Sequence, residues 1–298
     1  MSPGDLIAHR GRAGQTEHEN TIPSLLALPP WVDGVEIDVR LTADGVPVLM
    51  HDATVDRTTD GTGPVSSLTL EQIRQLDAGD GAQVPTLAEY LDAVAAREAT
   101  RPAEQRPFRR ILVDMIGQPT AAAMTTAAEV VDSSPVADLC LYMFRVWEWT
   151  EAADHLRVIR PTAPLGLFSE PGVGHDLDDA AQYGASLVFI EPTQFVADPA
   201  LAARVRSDGY PVAVSTQVVT TATAAHGVVD VVVTGHTEHL AFWHDDVDPP
   251  EPPPPVDAPL PRGTVSPVVR RQGFDLVTGR LIADLPDVTG PVSRLLGA

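Results

Sequence analysis

The stretch GVEIDVRLTADGVPVLMHDATVDRTTDGTG, residues 34–63, contains the features that decide the fold. It opens with the apolar segment GVEIDV at 34–39, which predicts a buried strand. The dipeptide Asp44-Gly45 then separates two extended segments, and this predicts a tight hairpin. The second arm of the hairpin, VPVLMH, ends at His51. The stretch therefore predicts a buried strand that leads into a hairpin.

Outside this hairpin, short apolar segments alternate with alanine-rich amphipathic ones. Eight segments are predicted to be strands, at residues 6–9, 34–39, 111–115, 138–143, 164–168, 186–190, 211–215 and 228–234. Strand–helix alternation indicates an α/β protein with a parallel sheet, and eight such units favour closure into a (β/α)8 TIM barrel. An open doubly wound sheet is the alternative, although no glycine-rich phosphate loop follows a strand and opens a helix.

The chain divides into three predicted parts. Residues 1–248 form the barrel, with an insertion at about 40–84 that contains the hairpin after strand 2. Residues 249–262 begin with PPEPPPP and are predicted to be a semi-rigid linker. Residues 263–298 alternate apolar and polar residues, so this short tail is predicted to form a β-hairpin, packed on the barrel or in an interface of a homo-oligomer.

Composition excludes several classes of protein. A chain of 298 residues that is 44% hydrophobic can bury a large core, which excludes wholesale disorder. A net charge of -21 disfavours binding to nucleic acid and to anionic membranes. One cysteine excludes an intramolecular disulfide framework. No apolar run predicts a transmembrane segment and no leader is recognisable, so a cytoplasmic protein is expected.

Acidic residues lie where a barrel carries its site. Glu36 and Asp38 are two apart on one strand, so they share a face near its C-terminal end. Asp114 interrupts the apolar segment ILVDM of the neighbouring barrel strand and is expected at the same rim. Adjacent carboxylates repel one another unless a proton or a cation lies between them. The three acids are therefore predicted to bind one hard divalent cation, Mg²⁺ or Ca²⁺.

Basic residues end two other segments at this rim. LIAH runs into His9-Arg10, and the hairpin arm ends at His51. Two histidines beside a metal offer an acid and a base, and an arginine there suits a phosphate oxygen. Together they suggest phosphoryl transfer, although each histidine alone would more simply be a structural residue. Three later histidines, at 236, 239 and 244, have loose spacing and are predicted to be surface residues rather than zinc ligands.

The N-terminal third resembles the glycerophosphodiester phosphodiesterase family. The matching pieces are AHRG (8–11), ENT (19–21), VEIDVRLTADGVPVLMHDATVDRTTDGTG (35–63) and VPTLAEYLDAV (84–94). The resemblance implies a (β/α)8 barrel with the hairpin region as an insertion. It also implies an enzyme that uses Ca²⁺ or Mg²⁺ to cleave small-molecule phosphodiesters, such as glycerophosphocholine, to glycerol 3-phosphate and an alcohol.

The resemblance also implies roles for individual residues. His9 and His51 would be the acid–base pair, Arg10 would bind the phosphate, and the metal ligands would be Glu36, Asp38 and Asp114. Glu19 and Asn20 would lie beside the site, with a helix N-cap as the alternative for Asn20. Glu191, at the end of the sixth predicted strand, is a possible pocket residue because it faces the same rim.

The chain departs from the family pattern at the third barrel strand and at the far wall of the expected pocket, which would contact the alcohol groups of the substrate. Asp114 stands where the family usually has glutamate, and Ile116 where it has lysine. Thr234-Gly235 replaces the usual Thr-Asp at the eighth strand. Phosphodiester chemistry is therefore better supported than glycerol as the substrate. One alternative is altered specificity, either a lyase that forms a cyclic phosphate, as in related spider-venom phospholipase D toxins, or a phosphodiesterase for a specialised metabolite. A non-catalytic binding protein is disfavoured because the acid, base and cation-binding residues are all present.

Overall fold

The computed structural model describes residues 4–14, 18–117, 120–168, 177–198, 200–217 and 219–244. The predicted linker at 249–262 and the tail at 263–298 lie outside the described residues. The division of the chain into these parts, and the oligomeric state, stay predictions.

Eight parallel strands close into a barrel, which confirms the predicted (β/α)8 TIM fold. Hydrogen bonds run around the whole ring, and the first and second strands of the chain pair to close it, with Ile7 opposite Gly34. Each predicted strand overlaps an observed one. The barrel strands are β1 (Asp5–Ala8), β2 (Gly34–Leu41), β4 (Arg110–Met115), β5 (Cys140–Phe144), β6 (Leu165–Phe168), β7 (Leu187–Ile190), β8 (Val212–Ser215) and β9 (Val231–Thr234).

Helices separate the strands along the chain, and most of them cover the outside of the barrel. Those described are α1 (Ile22–Leu26), α2 (Leu70–Ile73), α3 (Leu87–Ala99), α4 (Ala121–Asp132), α5 (Val146–Ile159), α6 (Asp178–Tyr183), α7 (Pro192–Ala197), α8 (Ala200–Ser207) and α9 (Val219–Ala225). The α3 helix begins where it does because Thr86 and Glu89 form a reciprocal capping box. Its apolar face buries Tyr90, Leu91 and Val94 against the barrel. Among the described residues, no helix is long and apolar enough to cross a bilayer.

Apolar side chains fill the barrel interior below its C-terminal rim. This inner cluster consists of Ile7, Leu112, Leu141, Met143, Leu187, Phe189, Ala213, Val231 and Val233. A larger cluster packs the outer strand faces against the helices. Because alternate residues of a strand face opposite sides, Asp114 shares the inner face with Leu112, one step nearer the rim. The polar site therefore lies on top of a packed apolar core.

The insertion after β2 is a small subdomain with its own core. β2 runs on to Leu41, two residues past the predicted end, and pairs antiparallel with β3 (Pro47–Leu49). Gly45 turns the hairpin with a φ of 79°, as its pairing with Asp44 predicts. The insertion buries Val48, Met50, Val55, Val65, Ile73, Ala78 and Val84. This core anchors the segment that carries His51.

Candidate active site

Three buried carboxylates lie together at the barrel mouth. Asp38 of β2 stands directly opposite Asp114 of β4 in the parallel register, and Glu36 lies two residues before Asp38. Each of the three side chains is buried, and one oxygen of each lies within 4.8 Å of the others. The structure thus brings together the three acids that the sequence singles out.

The electrostatics of this cluster suit a cation. Burial and the charges of Asp38 and Asp114 raise the pKa of Glu36 well above its ordinary value. Burial also raises the pKa of Asp114, against the opposing charge of Arg145. One oxygen of Asp114, Oδ1, is buried without a hydrogen-bond partner among the described residues. Buried, mutually repelling carboxylates with an unsatisfied oxygen fit a hard cation such as Mg²⁺ or Ca²⁺.

A strained turn after β1 places His9 and Arg10 beside these acids. Arg10 has a φ of 57° and Gly11 a φ of 64°, a left-handed conformation that is rare for arginine. The turn aims the Arg10 backbone N–H at Glu36, with N–Oε2 2.9 Å. Only glycine suits position 11, because a Cβ there would overlap the Tyr90 hydroxyl. The apolar strand ends at this turn, so its polar residues lie at the rim.

The side chains of this turn contact the site from one side. Arg10 donates from Nη1 to Glu19 Oε1 at 3.0 Å, and its Nε lies 3.3 Å from Asp38 Oδ2. His9 Nε2 lies 3.8 Å from Glu36 Oε2. Burial, followed by the charges of Arg10 and other nearby cations, holds the pKa of His9 well below its ordinary value. Burial and the neighbouring cations thus favour the uncharged form of the His9 imidazole.

Asn20 holds one of the three carboxylates in place. Its amide donates from Nδ2 to Asp38 Oδ2 at 2.9 Å, and its Oδ1 accepts the Asp38 backbone N–H at 3.3 Å. The N-cap alternative for Asn20 is wrong, because Thr21 caps α1 through its hydroxyl. Asn20 has a φ of 57°, which short amide side chains tolerate better than most.

His51 reaches the site from the insertion, and its partners are residues that the sequence analysis missed. Its Nδ1 lies 2.8 Å from Asp52 Oδ1. Arg40 donates from Nε and Nη2 to the His51 carbonyl, at 2.9 and 2.7 Å. Asp52 in turn accepts hydrogen bonds from Arg57. The sequence could have indicated both partners, because Asp52 and Arg57 lie in DATVDRTT, part of the stretch that resembles the family.

Position 116 carries isoleucine rather than a cationic residue, but an arginine at the end of another strand lies beside Asp114. Arg145, the residue after β5, places its Nη1 3.5 Å from Asp114 Oδ2. Its guanidinium carbon lies 4.7 Å from the ring centre of Phe168. The chain has 20 arginines and no lysine, so a permanently charged side chain here must be a guanidinium. The structure therefore brings Arg145, rather than a side chain of β4, to Asp114.

The remaining candidates are one glutamate and three histidines later in the chain. Glu191 follows β7 and accepts a hydrogen bond from the Thr193 hydroxyl at 3.2 Å, so its pocket role stays a prediction. The surface prediction is correct for His239, whose side chain is 59% exposed. The side chains of His236 and His244 are only partly exposed, at 12% and 16%. The chain after β9 packs against the barrel and partly covers them. His236 and His239 both approach the Glu238 carboxylate, at 3.7 and 3.2 Å.

A barrel mouth of this kind is typical of enzymes that act on phosphate esters. Comparison with known families agrees with that class, since residues 9–217 match the glycerophosphoryl diester phosphodiesterase family. The chain belongs to this family.

Individual relatives are similar over shorter stretches. A glycerophosphodiester phosphodiesterase of Caldanaerobacter subterraneus subsp. tengcongensis is 44% identical over 101 residues, which are 31% of this chain and 41% of that protein. Glycerophosphodiester phosphodiesterase 1 of Bos taurus is 56% identical over 72 residues, 24% of this chain and 22% of that protein. The chain thus spans less than half the length of these curated relatives.

Solved structures are similar over most of the barrel. A phosphodiesterase of Oleispira antarctica, determined in complex with the product sn-glycerol-3-phosphate, superposes with a TM-score of 0.67. It is 24% identical, and the superposition covers 79% of this chain and 94% of that one. At this identity the likeness supports the fold alone.

Proposed function

We propose that the chain is a divalent-cation-dependent phosphodiesterase. It cleaves a small glycerophosphodiester to a phosphomonoester, glycerol 3-phosphate, and an alcohol. The observation that carries this proposal is the convergence of two histidines and Arg10 on a buried cluster of three carboxylates. The family and the activity in the names of the curated relatives support it.

The carboxylates would hold the cation. Glu36, Asp38 and Asp114 would ligate Mg²⁺ or Ca²⁺, and Asn20 would keep Asp38 oriented. The bound cation would offset negative charge on the phosphate as the ester bond breaks. Arg10 would bind a non-bridging phosphate oxygen, because its guanidinium is held at the cluster by Glu19.

The histidines would move the protons. Although burial opposes ionisation of Asp52, hydrogen bonds from His51 and Arg57 outweigh it and hold the pKa of Asp52 below its ordinary value. An ionised Asp52 can only accept, so His51 carries a proton on Nδ1 and exchanges protons with substrate through Nε2. One of His9 and His51 would deprotonate the nucleophile, and the other would protonate the leaving alkoxide.

The identity of the nucleophile distinguishes hydrolysis from the alternative reaction, which forms a cyclic phosphate. Attack by water yields a phosphomonoester, whereas attack by a neighbouring hydroxyl of the substrate yields a cyclic phosphate. The alternative is kept because Ile116 and Gly235 change the wall that would surround the substrate. Arg145, at the end of β5, lies 3.5 Å from Asp114, so the site has a cation beside that carboxylate.

The test is a panel of phosphodiesters incubated with Mg²⁺, Ca²⁺ or chelator and followed by phosphorus NMR. Wild type is expected to release glycerol 3-phosphate only with a divalent cation. His9→Ala and His51→Ala should each lower the rate by about 10²–10⁴-fold with the fold intact. The control is His155→Ala, because His155 binds Thr125 in the outer helix layer. Near-normal turnover in either site variant would contradict the proposal, and a cyclic product would favour the alternative.

A further inference from the structure

Arg57, in the insertion, bridges two carboxylates from distant parts of the chain. It donates to Asp52 from Nε and Nη2, at 2.7 and 3.0 Å. It also donates to Glu19 from Nη1 and Nη2, at 3.1 and 2.6 Å. Four of its five N–H groups are thus directed at two acids. Such a planar, doubly bidentate arrangement suits arginine alone, since lysine offers a single ammonium.

Each of these acids contacts a different working residue of the site. Asp52 binds His51 Nδ1 at 2.8 Å, and Glu19 binds Arg10 Nη1 at 3.0 Å. A series of hydrogen bonds therefore runs without a break from His51 through Arg57 to Arg10. Removing Arg57 would break this series at its middle.

The two carboxylates in this series of hydrogen bonds depend on the neighbouring cations to stay ionised. The Glu19 side chain is only 7% exposed, and burial of a carboxylate is costly without cations beside it. The Asp52 side chain is 26% exposed and depends on Arg57 in the same way. Each acid has one other partner among the site residues, His51 for Asp52 and Arg10 for Glu19. Arg57 is the group that holds both of them.

We propose that Arg57 is a positioning residue that orients His51 through Asp52 and Arg10 through Glu19. It thereby couples the group that moves a proton to the group that binds phosphate. The inference rests on the proposed function for the roles of His51 and Arg10. Direct contact with substrate is the competing outcome, because Arg57 also lines a cleft of about 510 Å³ together with Arg12 and His18.

The contact through Asp52 to His51 and the contact through Glu19 to Arg10 should affect different steady-state constants. Asp52→Asn is expected to lower kcat by about 10–100-fold with little change in KM, as for other orienting partners. Glu19→Gln is expected to raise KM, because it loosens the phosphate-binding arginine. Arg57→Ala should do both. Since Arg57 acts through Asp52, the double variant Arg57→Ala/Asp52→Asn should lower kcat no further than the more affected of its two single variants.

The controls distinguish positioning from loss of charge or of stability. Arg74→Ala removes another exposed ion pair of the insertion, with Glu89 at 2.6 Å, and Arg74 is 48% exposed against 47% for Arg57. This variant should keep wild-type kinetics. Arg57→Lys keeps a positive charge without the planar fork and should recover little, whereas added guanidinium should restore part of kcat to Arg57→Ala.

Three results would overturn the inference. In the first, Arg57→Ala keeps kcat and KM within twofold of wild type while His51→Ala is inactive. In the second, Arg57→Ala raises KM alone, which would assign Arg57 to substrate. In the third, the effects of Arg57→Ala and Asp52→Asn on kcat multiply.

The two proposals can fail separately. If wild type cleaves no phosphodiester, the proposed function fails, and the positioning role is then read from nitrogen NMR of the His51 ring. A single tautomer protonated at Nδ1 in wild type, and a mixture in Arg57→Ala, would support positioning. The same single tautomer in both would overturn it.

Discussion

Replacing Glu19 by glutamine should weaken the fold in a way that depends on pH. The Glu19 carboxylate lies between Arg10 and Arg57. Burial opposes its ionisation, but the hydrogen bond from Arg57 and the charges of Arg10 and Arg57 outweigh burial and lower the pKa of Glu19 from 4.5 to about 2. A carboxyl group whose pKa is lower in the folded than in the unfolded chain stabilises the fold when it is ionised.

The size and sign of the effect follow from that pKa. A difference of roughly 2.5 pKa units at about 1.36 kcal/mol each is about 3.4 kcal/mol. Because Arg57 is 47% exposed, solvent screening reduces this figure, and a loss of about 1–3 kcal/mol is expected for Glu19→Gln at pH 7. The contribution is fully present above pH 4.5 and is lost as the pH falls toward 2. At about pH 3 the difference between the two proteins should be less than half its value at pH 7.

Urea unfolding of both proteins at pH 7, 5, 4 and 3 measures this difference in the free energy of unfolding. Glu71→Gln is the control, because Glu71 is exposed on the insertion and its replacement should change stability by less than about 0.5 kcal/mol. A loss for Glu19→Gln that stays constant across this range would refute the reasoning. So would a loss no larger than that of the control at pH 7.

Three further predictions concern the barrel mouth. In chelator-treated protein, Mg²⁺ or Ca²⁺ at about 100 times its Kd should raise the free energy of unfolding by about 2.7 kcal/mol, and Asp114→Asn should abolish the gain in calorimetry; a retained gain would place the cation elsewhere. Asn20→Ala releases the Asp38 carboxylate and should weaken cation affinity by about 10–100-fold in titration calorimetry, and unchanged affinity would show that Asn20 does not orient this ligand. Gly11→Ala should lower the free energy of unfolding in urea by about 1–3 kcal/mol, because the added Cβ overlaps the Tyr90 hydroxyl and the φ of 64° disfavours alanine. Adding Tyr90→Phe to this variant should recover part of the loss. No recovery would assign the whole loss to the backbone conformation.

The fold was predictable because its signals are local. Alternation of apolar segments with amphipathic ones identifies the strands, and Asp44-Gly45 identifies the hairpin, from residues close together in the chain. Strand ends were less predictable. β2 continues to Leu41 because its last residues pair with β3, from Val39 opposite Leu49 onward, and this pairing depends on how the hairpin closes.

The acids of the site were also accessible to reasoning from sequence. The spacing of Glu36 and Asp38 places both on one face, and the parallel register puts Asp114 beside Asp38. The role of Asn20 was open, because the same residue type also caps helices. Its contact with Asp38, rather than with α1, follows from the path of the first loop.

By itself, the sequence determined the barrel, the hairpin insertion and the set of acids and histidines at one rim, because strand periodicity and the common direction of parallel strands are properties of short segments. Only the tertiary structure decided which charges meet. Arg57 bonds to Glu19, 38 positions away, and Arg145 approaches Asp114, 31 positions away. Long arginine side chains can reach many partners, so the partner depends on how the loops and strands pack. The spacing of residues within a short segment does not predict that packing.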